Sequence, residues 1–145
     1  STAKGLAGGL PMGAVLFGSK LENTVTPGSH GSTFGGNPIA AAGAISIVKR
    51  INNAFLQEVS EKSDYIVKKL KEIKGVKSVS GMGLMLGIET EKKAADIANK
   101  CLEKGLLVLT AKTKIRLLPA LSITKEETDK GLAILKEVIE DETLA

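Results

Sequence analysis

Tryptophan is absent from this 145-residue chain, and aromatic residues in total make up 3% of it. Its core must therefore be aliphatic, and the aromatic stacking that nucleic-acid binders use is missing. Cys101 is the only cysteine, so no intrachain disulfide can form, which is compatible with a reducing, cytoplasmic setting. With His30 as its only histidine, the chain shows no metal-ligand pattern. Arginine is nearly absent too: Arg50 and Arg116 stand alone. The net charge of +4 comes from lysines scattered among glutamates, which reads as a solvated surface and not as a basic stripe for nucleic acid. There is neither a signal-peptide pattern nor an apolar run of membrane-spanning length, so no membrane partner is expected.

What is present is 43% hydrophobic and 25% charged, with sixteen glycines concentrated before residue 45 and around residues 81–87. Residues 1–12 read as a glycine-rich loop. Gly13 to Gly18 is a short apolar run between glycines, so a buried strand is expected there. Residues 19–36 are loop, broken by Pro27, Gly28, Gly31, Gly35 and Gly36. Asn37-Pro38 opens a helix, with Asn as N-cap and Pro at the first turn, and the apolar stretch Ala40 to Val48 predicts that this helix is buried. After Asn52-Asn53, helical spacing runs from Phe55 to Ile73 and stops at Gly75. Strands follow at Val76 to Ser80 and Leu84 to Glu89. A helix from Glu91 to Lys104 turns Ala94, Ile97, Ala98, Cys101 and Leu102 inward and is capped by Gly105. Leu106 to Leu109 and Lys114 to Leu118 read as strands about a turn at Ala111 to Thr113. Thr124 and Glu127 fit a capping box opening a helix that ends near Glu140. A division near residue 54 separates 1–54 from a compact α+β unit, 55–145. The first part, with one strand and no partner for it, cannot be a complete α/β layer, so sequence upstream of Ser1 is expected.

Three places could carry chemistry. Lys4 lies in a glycine-rich stretch that lets a cofactor approach the backbone. A primary amine attacks an aldehyde only when neutral, so such a role needs burial or a cationic neighbour; taken locally, a solvated lysine is the default. Ser32-Thr33, between glycines and ahead of a helix N-terminus, could wrap an anion, or could be a plain turn into the helix with Asn37 as its cap. Arg116, flanked by apolar residues in Lys114-Ile115-Arg116-Leu117-Leu118-Pro119, either pairs with a carboxylate or phosphate or points to solvent from an edge strand. His30 has no supporting triad geometry, and Cys101 falls on an apolar helix side as core filler. The Gly81 to Gly87 run is not followed by a helix and is no dinucleotide fingerprint.

In order and spacing, Ala3-Lys4-Gly5-Leu6, Leu10-Pro11-Met12-Gly13-Ala14, His30 to Pro38, Gly83 to Glu89, Gly105 to Leu109 and Arg116-Leu117-Leu118-Pro119 resemble the class III pyridoxal-phosphate aminotransferases, and within them the acetylornithine branch. Ala7, Met82 and Ala120 depart from the family pattern, at none of the proposed site positions. The resemblance implies an α/β fold of the aspartate-aminotransferase type (fold type I). Residues 1–54 would close the large domain and 55–145 would form the small C-terminal α+β domain. It implies that Lys4 is the Schiff-base lysine and proton carrier, and that Thr33 with Ser32 holds the phosphate of pyridoxal 5'-phosphate across a homodimer interface. Arg116 would bind the α-carboxylate of glutamate. It further implies transfer of the terminal amino group of N-acetylornithine to 2-oxoglutarate in arginine biosynthesis; ornithine, succinylornithine and 4-aminobutyrate enzymes share the skeleton. The family's ring-pairing aspartate and stacking aromatic precede the lysine, so the isolated chain is expected to be inactive. The competing expectation is a non-catalytic small-domain module that binds a partner or an anion.

Overall fold

A computed structural model describes residues 1–143, and the chain divides into two compact units, Ser1–Phe55 and Leu56–Ala145. The first is glycine-rich loop wrapped on one helix. Thr2 and Ala14 exchange backbone hydrogen bonds of 2.8 Å each, closing a loop that contains a single 3-10 turn at Lys4–Leu6. This loop lies against helix α1 (Pro38–Arg50) at Gly43, where an added Cβ would sit 2.7 Å from the carbonyl oxygen of Ala7. Ala7, Ala40 and Ala44 form the small buried patch between them.

The start of α1 follows from its sequence. The Asn37 side chain accepts from the N–H groups of Ile39 (2.9 Å) and Ala40 (3.2 Å), and Pro38 occupies the first turn. The expected burial does not hold: Ile39 is 69% exposed, and Ile45 and Val48 are exposed as well. One face of α1 is covered by the loop, and the remaining apolar faces have nothing over them among the described residues. The strand expected over residues 13–18 is also absent. Apart from the Ala14 bridge the segment is irregular, and Leu16 is 80% exposed. A strand needs a hydrogen-bonding neighbour, and the described residues of this unit supply no second strand.

Helix α2 (Asn53–Lys71) leads into the second unit, two residues earlier than its apolar spacing suggested, with Asn52 accepting from the Phe55 N–H at 3.0 Å. Then come β1 (Val76–Met82), β2 (Met85–Thr90), α3 (Ala94–Glu103), β3 (Leu109–Ala111), β4 (Lys114–Leu117) and α4 (Lys125–Glu140). The strands form one antiparallel sheet in the order β1-β2-β4-β3. Leu86, Ile88, Thr90 and Ile115 alternate onto one face and are buried. With Ile66 and Leu70 of α2, Ile97 and Cys101 of α3, and Leu135, Val138 and Ile139 of α4, they make an aliphatic core.

Helix ends obey their signals. After α3, Gly105 at φ +81 donates to Leu102 and Leu106 donates to Cys101, a Schellman pair. At α4, Thr124 and Glu127 bond reciprocally as a capping box. Several details differ from the sequence reading: β1 runs on to Met82, β2 covers Met85–Thr90, and α3 starts at Ala94, three residues later than expected. Leu102 points outward, and the chain from Leu106 to Val108 forms no strand, so β3 begins at Leu109. None of the described helices is long and apolar enough to cross a membrane.

Candidate functional site

Arg116 lies on β4, which is hydrogen-bonded to β2 through Gly87↔Arg116 and to β3 through Leu109↔Arg116. The edge-strand reading is therefore corrected: β4 is interior to the sheet and the side chain is half-buried. It lines a cleft of about 260 Å³ whose other walls include Leu107, Leu109, Leu118, Thr128, Leu132 and Leu135. Arg116 Nε is the one buried side-chain nitrogen or oxygen without a hydrogen-bond partner among the described residues. A guanidinium N–H left unpaired in apolar surroundings is costly, and a carboxylate or phosphate is the group that relieves it. The polar side chains nearby bond within the N-terminus of α4. Glu127 accepts from the Thr124 N–H and hydroxyl, both at 2.9 Å, bonds that hold its carboxyl below the ordinary range, and Thr128 donates to the Thr124 carbonyl at 2.8 Å.

Lys4, Ser32 and Thr33 belong to the first unit. Lys4 opens the 3-10 turn at φ +54, a left-handed backbone that non-glycine residues seldom adopt, and its side chain is exposed. Ser32 lines a cleft of about 320 Å³ with Pro11, Gly13, Phe34, Gly35 and Asn37, at the N-terminus of α1. Gly35 is needed there, since a Cβ on it would come within 2.9 Å of the Ser32 Cβ. Neither Lys4 nor Thr33 is among the residues lining this cleft. Because Asn37 already caps Ile39 and Ala40, anion-binding capacity here rests on the exposed Ser32 and Thr33 hydroxyls and on loop N–H groups. The hydroxyls and the glycine-lined cradle are of a kind that suits a phosphate, and the amine of Lys4, which is not among the cleft's lining residues, is of a kind that suits an aldehyde.

His30 is exposed in the loop, and Cys101 is fully buried, with burial pushing its thiol pKa up. Among the described residues no group of acidic, histidine and cysteine side chains could hold a metal. Sequence reasoning missed the apolar cleft around Arg116. Leu107 and Leu109 were visible as a strand and the turn at Ala111 to Thr113 was expected, but which residues of α4 share a cleft with them is set by tertiary packing that local sequence does not carry.

Residues 1–139 match the family model described as aminotransferase class-III. The acetylornithine aminotransferase of Haemophilus ducreyi is 45% identical over 141 residues, covering 96% of this chain and 36% of its own length. That of Aquifex aeolicus is 46% identical over 138 residues, covering 94% and 36%. The solved acetylornithine aminotransferase of Elizabethkingia anophelis superposes with a TM-score of 0.77 at 32% identity over 94% of this chain and 39% of its own. Plasmodium falciparum ornithine delta-aminotransferase gives 0.72 at 33% over 84% and 34%. The chain thus spans somewhat over a third of the length of the curated relatives it matches.

Proposed function

The chain belongs to the class III aminotransferases and has their α/β, fold type I architecture, and on that premise we propose that it is part of a pyridoxal 5'-phosphate-dependent enzyme moving the terminal amino group of N-acetylornithine to 2-oxoglutarate in arginine biosynthesis. The relatives named acetylornithine aminotransferase support that substrate. The bound cofactor would supply an aldehyde and an electron-accepting ring. Lys4 would hold the aldehyde through its neutral amine and, once displaced, carry the proton at the substrate carbon. Ser32 and Thr33 would hold the phosphate, serving the neighbouring subunit of a homodimer. Arg116 would bind the substrate carboxylate bidentately. Residues 1–54 would end the large domain and 55–145 would be the small one, in a cytoplasmic enzyme.

The observation that carries this reading is Lys4 itself. Its backbone is turned to φ +54, and strain of this kind clusters at functional sites; the burial that a neutral amine requires is not supplied by the described residues, where Lys4 is exposed. The test is borohydride reduction of the chain with pyridoxal phosphate, followed by peptide mapping. Selective labelling of Lys4 over the other lysines is expected. Labelling scattered over the surface lysines would remove Lys4 from the role. The 145-residue chain alone is expected to show no aminotransferase turnover; robust glutamate formation from N-acetylornithine and 2-oxoglutarate would contradict that.

A further inference from the structure

We propose that the tip of the β1–β2 hairpin is a methionine-oxidation site, at which a hydroperoxide is consumed on Met82 and Met85 and the resulting sulfoxides stay open to a methionine sulfoxide reductase. One cysteine and three methionines hold the chain's sulfur, and the fold sorts them. Met82 and Met85 are partners across the two-residue turn Gly83-Leu84. Leu86 and Ile88 of β2 turn inward, so Met85 and the Met82 opposite it stand on the other face of the sheet. Met82 is 87% exposed and Met85 55%. Met12 is half-buried. Cys101 is fully buried, and burial disfavours the thiolate that oxidants attack.

The tip is anchored by other groups. Leu84 is buried, the Ser63 hydroxyl donates to the Gly83 carbonyl at 2.7 Å, and a Cβ on Gly83 would meet Val59 of α2 at 3.6 Å. None of these anchors is a thioether. Sulfoxide formation makes an apolar side chain polar, which disrupts a core, but at these two positions there is no core packing to lose. The chemistry needs only the peroxide. A sulfur lone pair attacks the distal oxygen, the O–O bond breaks, and the proton on that oxygen passes to the departing one, which leaves as an alcohol, or as water from hydrogen peroxide. Sulfur gives up two electrons and the peroxide takes them. Because both side chains face solvent, the reductases specific for the two sulfoxide epimers can reach the products.

The experiment treats the folded chain with hydrogen peroxide and follows each sulfur by peptide mapping, with the urea midpoint measured at each stage. Met82 and Met85 should take up oxygen first, Met82 at least about threefold faster than Met12, as exposure dictates. Cys101 should stay unmodified, and the urea midpoint should not move after the second oxygen. Met82→Leu with Met85→Leu, which keeps apolar bulk at both exposed positions, should remove the fast uptake and leave the midpoint where it was. Adding the two epimer-specific reductases to the oxidised chain should return both methionines. Oxidation of Met12 as fast as Met82, oxidation of Cys101 ahead of the methionines, or fast uptake that persists in the double variant overturns the proposal. So does a midpoint that falls with the second oxygen, since the tip would then be structural, and so do products that the reductases leave unchanged.

Discussion

Single residues in this chain are fixed by what one atom would do. Gly81 sits at φ +143 in β1, and a Cβ there would lie 2.1 Å from the carbonyl oxygen of Met85. Both the backbone and the space exclude a side chain, so Gly81→Ala should cost about 3 kcal/mol or more, read as a fall in the urea midpoint. Arg116 makes the opposite case. Its Nε gains nothing from the fold and loses its hydration, so replacing it with an apolar side chain of similar length removes a burden. Arg116→Met should leave stability unchanged or raise it by about 1 kcal/mol, while abolishing carboxylate binding. Loss of stability on that substitution would mean that the guanidinium is structural. The two residues also differ in how far the sequence disclosed them. An arginine in an apolar strand marks a position that wants either an anion partner or solvent, whereas the necessity of Gly81 depends on a cross-strand carbonyl that local sequence cannot supply.

At the level of elements, what was legible is what local chemistry decides. Asn37-Pro38, Gly105 and the Thr124/Glu127 pair each mark a helix end with side-chain or backbone bonds made within a few residues. Thr124→Ala should cost about 1 kcal/mol. The pH dependence follows from the same contacts. Glu127 is held below the ordinary carboxylate range by Thr124, and Asp129 by Lys125 and then by Tyr65, whose hydroxyl bonds it across α2 and α4. A folded-state value below the unfolded one stabilises the protein above the unfolded carboxylate range and is lost as pH falls through the folded value. The urea midpoint should therefore drop on acidification below about pH 4.5. The double variant Glu127→Gln with Asp129→Asn should show a flatter acid limb. What was not legible was pairing: the run Gly13 to Gly18 has strand composition, but strand formation is a property of two segments, and its neighbour is not among the described residues. Leu106 to Val108 failed for a related reason, since the Schellman turn at Gly105 sets the direction of the chain and β3 starts only where β4 can meet it.

The whole molecule presents an imbalance between its two units. The second has a closed aliphatic core, with Leu70, Ile88, Ile97, Ile115, Leu135 and Val138 fully buried. The first has a patch of three alanines and leaves Val15, Leu16, Phe17, Ile39, Ile45 and Val48 exposed. Single exposed apolar residues are ordinary, but this many in one small unit form the kind of surface that drives association. A small domain also buries a lower share of its surface, so the first unit has less burial to hold it together. Two consequences can be separated. The chain should sediment with a concentration-dependent average mass. Ile45→Lys with Val48→Lys, three residues apart and so on one face of α1, should shift it toward monomer without changing the urea midpoint of the second unit. Were the association instead to arise from exposed leucines of the second unit such as Leu107 and Leu118, this pair of substitutions would leave the mass unchanged, so one sedimentation series on the two proteins assigns the association to one unit or the other.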